Sequence, residues 1–190
     1  MNEAKLFSHF PEIQSDELVL SKITASDLND MYELCSNETL YKYSSSSAKK
    51  NKAVVYNMIT QFERDFNHKK AIYWGIYQKK DIQKMIGLIE LFDFDKSVNM
   101  VTIGYMLNET YWGKGYATKA VHLALNFLFC TAEIHRVQAL IISENTKSKR
   151  VLLRNHFTYE GTVRQGMYWD GIGIVNIDIF SILKNEYVLL

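Results

Sequence analysis

The chain has 190 residues, and its hydrophobic fraction of 47% and charged fraction of 23% are ordinary globular values, so we expect one domain spanning residues 1–190. Its formal net charge of +1 supplies no field that would attract nucleic acid or an anionic membrane. No apolar stretch approaches the ~20 residues of a transmembrane helix.

The first residues of the chain and its two cysteines indicate the cellular compartment. The first residues lack the basic-then-apolar order of a signal peptide. Two cysteines, Cys35 and Cys130, are too few for a disulfide framework. We therefore expect a cytoplasmic protein in which both cysteines are buried free thiols. The five histidines show no metal-ligand spacing, so we expect no metal, and we interpret His135 and His156 as structural.

Hydrophobic periodicity predicts an alternation of helices and strands. In chain order these are a strand (18–23), a helix to about residue 35, a helix (51–67), three strands (71–78, 84–92 and 100–107), a helix (113–129), a strand (136–142), a helix (145–155) and a final hairpin. The second helix carries one apolar face, formed by Val54, Val55, Met58, Ile59, Phe62 and Phe66. Asp170-Gly171 suits the tight turn of the hairpin, and Ser44 to Ser47 is the most loop-like segment. This order predicts an α+β domain with a mixed sheet.

A glycine pair stands between a strand and a helix in the second half of the chain. Ile103 to Leu107 is apolar enough for a buried strand, and Gly113-Lys114-Gly115 follows it and opens a helix. The first N–H groups of a helix are unpaired and lie at the positive end of its dipole, so this arrangement can cradle a phosphate. A tight turn that merely starts a helix explains the glycines equally well. A P-loop is excluded because Gly115 follows Lys114, and a Rossmann fingerprint because Thr118 stands where a third small residue belongs.

Several motifs together make the chain similar to a known family. They are Ile103-Gly104-Tyr105, Tyr111 to Thr118 with Ala120, His135-Arg136-Val137, Glu144-Asn145-Thr146 with Ser148 and Arg150-Val151-Leu152, Phe157 with Glu160-Gly161, and Phe180-Ser181-Ile182-Leu183. On these motifs the chain resembles the Gcn5-related N-acetyltransferase superfamily, and within it the branch of the Rim-type ribosomal-protein N-terminal acetyltransferases. The resemblance covers about residues 84 to 184, and the first 80 residues fit only in element order.

The resemblance implies a fold and a cofactor site. The fold is a mixed, mostly antiparallel sheet with flanking helices, in which the family's fourth and fifth strands splay apart. The co-substrate is acetyl-CoA, whose pantetheine arm would lie between Tyr105 to Asn108 and Gln138 to Ile142. Trp112 stands where the family signature usually has Arg or Gln. The residues that the resemblance assigns to cofactor binding are Met106, Leu107, Asn108, Trp112, Gly113, Lys114, Gly115, Tyr116, Ala117, Thr118, Asn145 and Ser148.

Asn145 and Ser148 lie one turn apart at a predicted helix start. Asn145 is consistent with a plain helix N-cap, and the resemblance adds a contact with the cofactor arm; both roles can coexist. A hydroxyl at Ser148 matches the family position that donates a proton to the departing thiolate, whereas the alternative is a serine on the helix surface.

The general base is not evident from the sequence. Two positions that carry an acid in relatives hold Thr102 and Met167. The carboxylates expected near the acceptor cleft are Glu90, Asp93, Glu160 and Asp178. Glu90 interrupts the apolar run from Ile86 to Phe92 and is either an edge residue or the base.

A site without a strong base favours an α-amine, with its reference pKa near 8, over a lysine, with its pKa near 10.4. The leading interpretation is therefore an acetyltransferase acting on a protein or peptide N-terminus. A small-amine acetyltransferase and a non-catalytic acyl-CoA-binding module are the alternatives.

The late hairpin could pair two copies into a homodimer. Trp74, Tyr168 and Trp169 are either acceptor contacts or packing residues.

Overall fold

In the computed structural model, which describes residues 1–44, 46–169 and 171–187, the strands form a single eight-stranded sheet. The strands are β1 (Ile13–Gln14), β2 (Leu18–Lys22), β3 (Ile72–Gln78), β4 (Asp81–Asp95), β5 (Met100–Leu107), β6 (Arg136–Ile142), β7 (Thr158–Trp169) and β8 (Gly173–Leu183). Their spatial order is β1-β2-β3-β4-β5-β6-β8-β7. The β5–β6 pair is parallel and the others are antiparallel. The predicted mixed, mostly antiparallel sheet is therefore confirmed.

The helices occupy the predicted places, with bounds that differ by a few residues. They are α1 (Glu3–Phe7), α2 (Leu28–Ser36), α3 (Glu38–Tyr41), α4 (Lys52–Asn67), α5 (Tyr116–Asn126), α6 (Thr146–Arg154) and α7 (Lys184–Tyr187). A π-helical turn at Phe127–Thr131 extends α5. The elements α1, β1, α3 and α7 were not predicted, because segments of two to five residues are too short to show a period. No helix in the described residues is long and apolar enough to span a membrane.

Helices cover the sheet on both faces. Helix α5 buries Ala120, Val121, Ala124 and Leu125 against one face, which we call the α5 face, and Leu152 of α6 joins the same apolar cluster. Helices α2 and α4 cover the opposite side, which we call the α2 face. Their buried residues there are Met31, Leu34, Cys35, Val55 and Ile59. Because side chains alternate along a strand, successive residues of β5 face these two clusters in turn.

The sheet is open at one seam. Strands β5 and β6 pair only from Met100 to Thr102, which lie opposite Arg136 to Gln138. The rest of β5 continues along β4, and the rest of β6 continues along β8. The two strands therefore diverge after Thr102, as the resemblance implies, and we call the gap between Ile103–Leu107 and Ala139–Ile142 the slot.

Two details of the sequence interpretation need correction, and two predicted loop residues are not described. Val54 is 43% exposed, so the apolar face of α4 is narrower than predicted. Cys35 is buried, but Cys130 is exposed, because the π-helical turn at the end of α5 changes which residues face the core. Ser45 of the predicted serine loop and Asp170 of the predicted turn lie outside the described residues.

Candidate active site

The turn between β5 and α5 has the geometry of an anion cradle. Gly113 and Gly115 have φ values of 72° and 81°, in the left-handed region that favours glycine. Apart from its chain neighbours, no atom of the described residues lies within 4 Å of where a β-carbon would stand on either glycine, so the space beside the turn is open there. The first backbone hydrogen bond of α5 runs from Lys119 N to Gly115 O. The N–H groups of Tyr116, Ala117 and Thr118 precede it and are available to a phosphate.

The side chains of this turn are held by the surrounding structure. The indole N–H of Trp112 donates to the carbonyl of Leu107 (2.7 Å), and Lys147 Nζ of α6 lies 3.8 Å from the Trp112 ring centroid. Lys114 Nζ donates to the carbonyl of Thr110 (2.8 Å). The Lys147–Trp112 contact links the turn to α6. It was not predicted from the sequence.

The first residues of α5 are tied to the surrounding structure. The Tyr116 hydroxyl accepts a hydrogen bond from Gln78. Ala117 packs against the core of the α5 face. The Thr118 carbonyl accepts from Asn155 Nδ2 (3.2 Å), which ties α5 to the end of α6. These contacts leave the backbone of the turn, rather than its side chains, to face a ligand.

Part of the β5 backbone faces the slot rather than β4; of the groups there, the Leu107 carbonyl already accepts from the Trp112 indole. The amide of Asn108 donates to a carbonyl of β4 (2.9 Å). Peptide groups alternate in direction along an antiparallel strand, so Met106 also directs its N–H and C=O toward β4. Tyr105 and Leu107 direct theirs to the other side, where β6 has diverged. The cofactor contact expected of Met106 stays a prediction, and the strand geometry adds Tyr105 and Leu107 as residues whose backbone faces the slot.

Asn108 has a structural use of its own. It is 6% exposed, and its Oδ1 accepts from the amide of Thr110 (3.1 Å) while its Nδ2 donates to Glu33 Oε1 of α2 (2.6 Å). These bonds fasten the start of the glycine turn to α2. A direct contact between Asn108 and the cofactor stays a prediction.

The first turn of α6 faces the slot from the α5 face. Asn145 is its N-cap, because its Oδ1 accepts from the amide of Ser148 (3.1 Å). The Ser148 hydroxyl lies 2.6 Å from the hydroxyl of Tyr105 on β5. Asn145, Ser148 and Tyr105 are thus brought together, and the sequence pointed to the first two only.

Glu160, one of the four predicted carboxylates, is paired with an arginine. Both oxygens of Glu160 accept from the Arg136 guanidinium at 2.6 Å, and Ser181 Oγ donates to Oε1 (2.7 Å). Arg136 is the main reason that the pKa of Glu160 falls to about 2. A carboxylate held in this way is a poor proton acceptor, so Glu160 is structural.

Asp178 is also held by partners, and Asp93 lies on the surface. Burial raises the pKa of Asp178, but hydrogen bonds from Thr162 and Ser143 and the charge of Lys149 outweigh burial and lower it. Asp93 is exposed and has a positive φ of 51°.

Glu90 differs from the other three. Its half-buried carboxyl group has no hydrogen bond or ion pair with any described residue, and burial raises its pKa. On the sheet it stands opposite Tyr73 and Gly104. Burial and then the nearby Glu90 carboxylate raise the pKa of Tyr73 to about 12. Burial, then Cys35 and last Glu90 raise the pKa of Tyr41. A partnerless carboxyl group among tyrosines is typical of a functional acid or base.

Glu90 reaches the place where β5 and β6 separate. A β-carbon at Gly104 would lie 2.8 Å from Cγ and 3.0 Å from Cδ of Glu90, and closer still to Oε1. The carboxyl group therefore lies directly over Gly104, two residues beyond the last β5–β6 pair at Thr102. Glu90 is on the α2 face, whereas Ser148 meets the next residue, Tyr105, on the α5 face.

The positions where relatives carry an acid have other uses here. Thr102 is fully buried, and its hydroxyl accepts from Gln138 Nε2 (3.1 Å) across the last β5–β6 pair. Met167 packs with Trp169 in a third apolar cluster, which also contains Tyr43. No group of three or more His, Cys, Asp or Glu side chains among the described residues could hold a metal ion.

The aromatic candidates separate into core and surface. Trp74 is fully buried, and its indole N–H donates to the carbonyl of Pro11 (2.6 Å), so it is a core residue. Trp169 is 6% exposed, and Tyr168 is 72% exposed on the hairpin.

Comparison with known proteins agrees with this geometry. Residues 17–158 match the profile of the acetyltransferase (GNAT) domain. The chain is 27% identical over 175 residues to the uncharacterized N-acetyltransferase YoaA of Bacillus subtilis, covering 92% of this chain and 98% of that protein. It is 27% identical over 115 residues to the [ribosomal protein uS5]-alanine N-acetyltransferase of Escherichia coli, covering 60% and 57% of the two chains. A Vibrio cholerae spermidine N-acetyltransferase, solved with CoA and spermine, superposes with a TM-score of 0.79 at 17% identity, covering 92% and 99%.

Proposed function

Because the chain belongs to the GNAT family of acetyltransferases, which use acetyl-CoA, we propose that it transfers the acetyl group to the N-terminal α-amine of a protein or peptide. The observation that carries the acceptor side of this proposal is Glu90. Of the four predicted carboxylates, Glu90 combines a raised pKa with the lack of a charged partner among the described residues.

The residues around the slot suit acyl transfer. The open glycine turn and the slot-facing peptide groups of Tyr105 and Leu107 fit a pyrophosphate and a pantetheine arm. Ser148 lies on the α5 face of the slot, where its hydroxyl can donate to the departing sulfur. Glu90 lies on the α2 face, where its carboxylate can take the proton of an attacking amine. The proposed acid, Ser148, and the proposed base, Glu90, then lie on opposite faces of the sheet. Ser148 contacts Tyr105 and Glu90 lies over Gly104, the preceding residue of β5.

The acceptor class follows from the strength of the base. At pH 7 roughly a tenth of α-amines are neutral, against roughly 0.04% of lysine side chains. This difference corresponds to roughly 3 kcal/mol that a base would have to supply for a lysine. A single carboxyl group is a weak base toward an ammonium of pKa near 10.4, whereas it is adequate for an amine of pKa near 8.

The relatives point to two acceptor classes. The E. coli relative is named for an alanine of ribosomal protein uS5, which supports an α-amine. The spermidine enzyme shares the fold at 17% identity, and the net charge of +1 gives this chain no strong attraction to a ribosome. A small amine is therefore the second candidate.

An amine panel distinguishes these acceptors. The release of the CoA thiol is measured with a lysine-free peptide that begins with alanine, with the same peptide carrying an acetylated N-terminus and one internal lysine, and with spermidine. We expect the free α-amine peptide to be acetylated at least a hundredfold more efficiently than the lysine peptide, and the site of acetylation is identified by mass spectrometry.

Three outcomes would contradict the proposal. Faster acetylation of the blocked lysine peptide would refute the preference for an α-amine. Preference for spermidine would establish the small-amine alternative. Absence of thiol release with every amine, despite tight binding of acetyl-CoA, would indicate a binding module without turnover.

A further inference from the structure

Two hydroxyl groups meet at the edge of the slot. Tyr105 projects from β5 toward α6, and its Oη lies 2.6 Å from Ser148 Oγ and 3.1 Å from the Ser148 carbonyl oxygen. The Tyr105 ring packs against the core of the α5 face, so the hydroxyl is held in place. Burial raises the pKa of Tyr105 well above its usual range, and the group stays protonated at any physiological pH.

The number of protons limits how this contact can be made. Each hydroxyl group has one proton and can also accept hydrogen bonds. If Tyr105 donates to the carbonyl oxygen, the short contact must be a donation from Ser148 to Tyr105, and the serine proton then points away from the slot. If Tyr105 donates to Ser148 Oγ instead, the serine proton is free to point into the slot.

Two features favour the second arrangement. The distance to Oγ is 0.5 Å shorter than the distance to the carbonyl oxygen. The carbonyl of Ser148 already has a partner in α6, the amide four residues later. Ser148 is also fixed from the other side, because its amide donates to Asn145. Backbone and side chain of Ser148 are therefore both held by neighbours.

We propose that Tyr105 is a positioning residue that donates to Ser148 Oγ and so aims the serine proton at the sulfur of the thioester. This inference rests on the proposed role of Ser148. The amine nitrogen attacks the carbonyl carbon and loses one proton to the Glu90 carboxylate; the C–S bond breaks, and its electron pair goes to sulfur, which receives the proton of Ser148. The Tyr105 hydroxyl stabilises the negative charge that develops on Oγ until solvent returns the proton.

Without the tyrosine hydroxyl, Ser148 has another acceptor. A serine near the start of a helix readily donates to the carbonyl one turn earlier. In Tyr105→Phe the freed hydroxyl is expected to turn toward this carbonyl, so the sulfur loses its donor although Ser148 is present. The phenyl ring is unchanged, and the packing of the α5 face should be retained.

A double-mutant cycle tests the inference. Variants Tyr105→Phe, Ser148→Ala and the double variant are compared for kcat with the best amine of the panel and for the Kd of CoA. We expect kcat to fall about tenfold in Tyr105→Phe and about a hundredfold in Ser148→Ala, with the Kd of CoA within twofold of wild type. The double variant should be no slower than Ser148→Ala alone. Tyr32→Phe, which removes a hydroxyl bonded to the Lys50 carbonyl, is the matched control and should keep full activity.

Several results would overturn the inference. A tenfold loss that persists in the Ser148→Ala background would assign Tyr105 a role independent of Ser148. A weaker Kd with unchanged kcat would make Tyr105 a binding residue. Full activity of Ser148→Ala would refute both the proposed acid role of Ser148 and this inference. The amine panel would still identify the acceptor in that case. If the panel yields no acetylated amine, the same cycle is run on acetyl-CoA hydrolysis, which needs the departing sulfur but no acceptor.

Discussion

A methyl group added at Gly104 should disable the site while leaving the fold nearly intact. In Gly104→Ala the new β-carbon would lie 2.8 Å from Cγ of Glu90, whereas two carbon atoms in contact are about 3.5–4.0 Å apart. The Glu90 side chain must therefore retreat by about 1 Å. A displacement of this size at a catalytic group costs about a hundredfold in rate. The stability cost is smaller, because overpacking of about 1–3 kcal/mol is offset by about 0.4–1 kcal/mol from the lower entropy of the unfolded chain.

The assay is kcat for the preferred amine, together with the Kd of CoA and the free energy of unfolding in urea. We expect kcat to fall about a hundredfold with the Kd unchanged. Gly75→Ala is the matched control, because its β-carbon would lie 2.6–2.8 Å from side-chain atoms of Tyr77; it should lose similar stability and keep its kcat. In a Glu90→Gln background, Gly104→Ala should cause no further loss of activity. A Gly104→Ala enzyme with wild-type kcat would refute the placement of Glu90 as the base.

Two further predictions concern single side chains. Because burial raises the pKa of Glu90, the folded chain holds this proton more tightly than the unfolded chain, and the wild type loses stability as the pH rises through and above about 4.3. Glu90→Gln should therefore melt higher than wild type at pH 7, with the difference vanishing below pH 4, while kcat falls about a hundredfold; a lower melting temperature at pH 7 would contradict this. His156 is exposed with a φ of 61°, so His156→Gly should stabilise the chain by about 0.5–1 kcal/mol in urea unfolding without changing kcat, and unchanged stability would count against backbone strain there.

The geometry of the glycine turn could be predicted from the sequence because its information is local. The open turn depends on two glycines with positive φ, Gly113 and Gly115, and on the unpaired amides that any helix presents at its start. Both features are properties of a short continuous segment. His156, just after α6, likewise has the left-handed backbone for which glycine is the common residue at a helix end.

The acceptor half could not be predicted in the same way. Glu90, Asp178 and Glu160 are all carboxylates in strands, and the sequence distinguishes Glu90 only by the apolar run around it, which an edge residue would explain as well. What separates them is the partner that the fold brings to each: Arg136 binds Glu160, Lys149 approaches Asp178, and no charged group approaches Glu90 among the described residues. Such partners lie 24 and 29 positions away along the chain, so they become visible only in the folded structure.

The two halves meet at adjacent residues of β5, and this follows from the geometry of a strand. Successive side chains point to opposite faces, so Gly104 lies toward the α2 face and Tyr105 points to the α5 face. Gly104 leaves room for a carboxylate from the neighbouring strand, and Tyr105 reaches the serine of α6. A dipeptide that looks like a buried strand can thus position both the proposed base and the proposed acid, provided that β6 diverges at the same level. The proposed chemistry on both faces therefore depends on the divergence after Thr102.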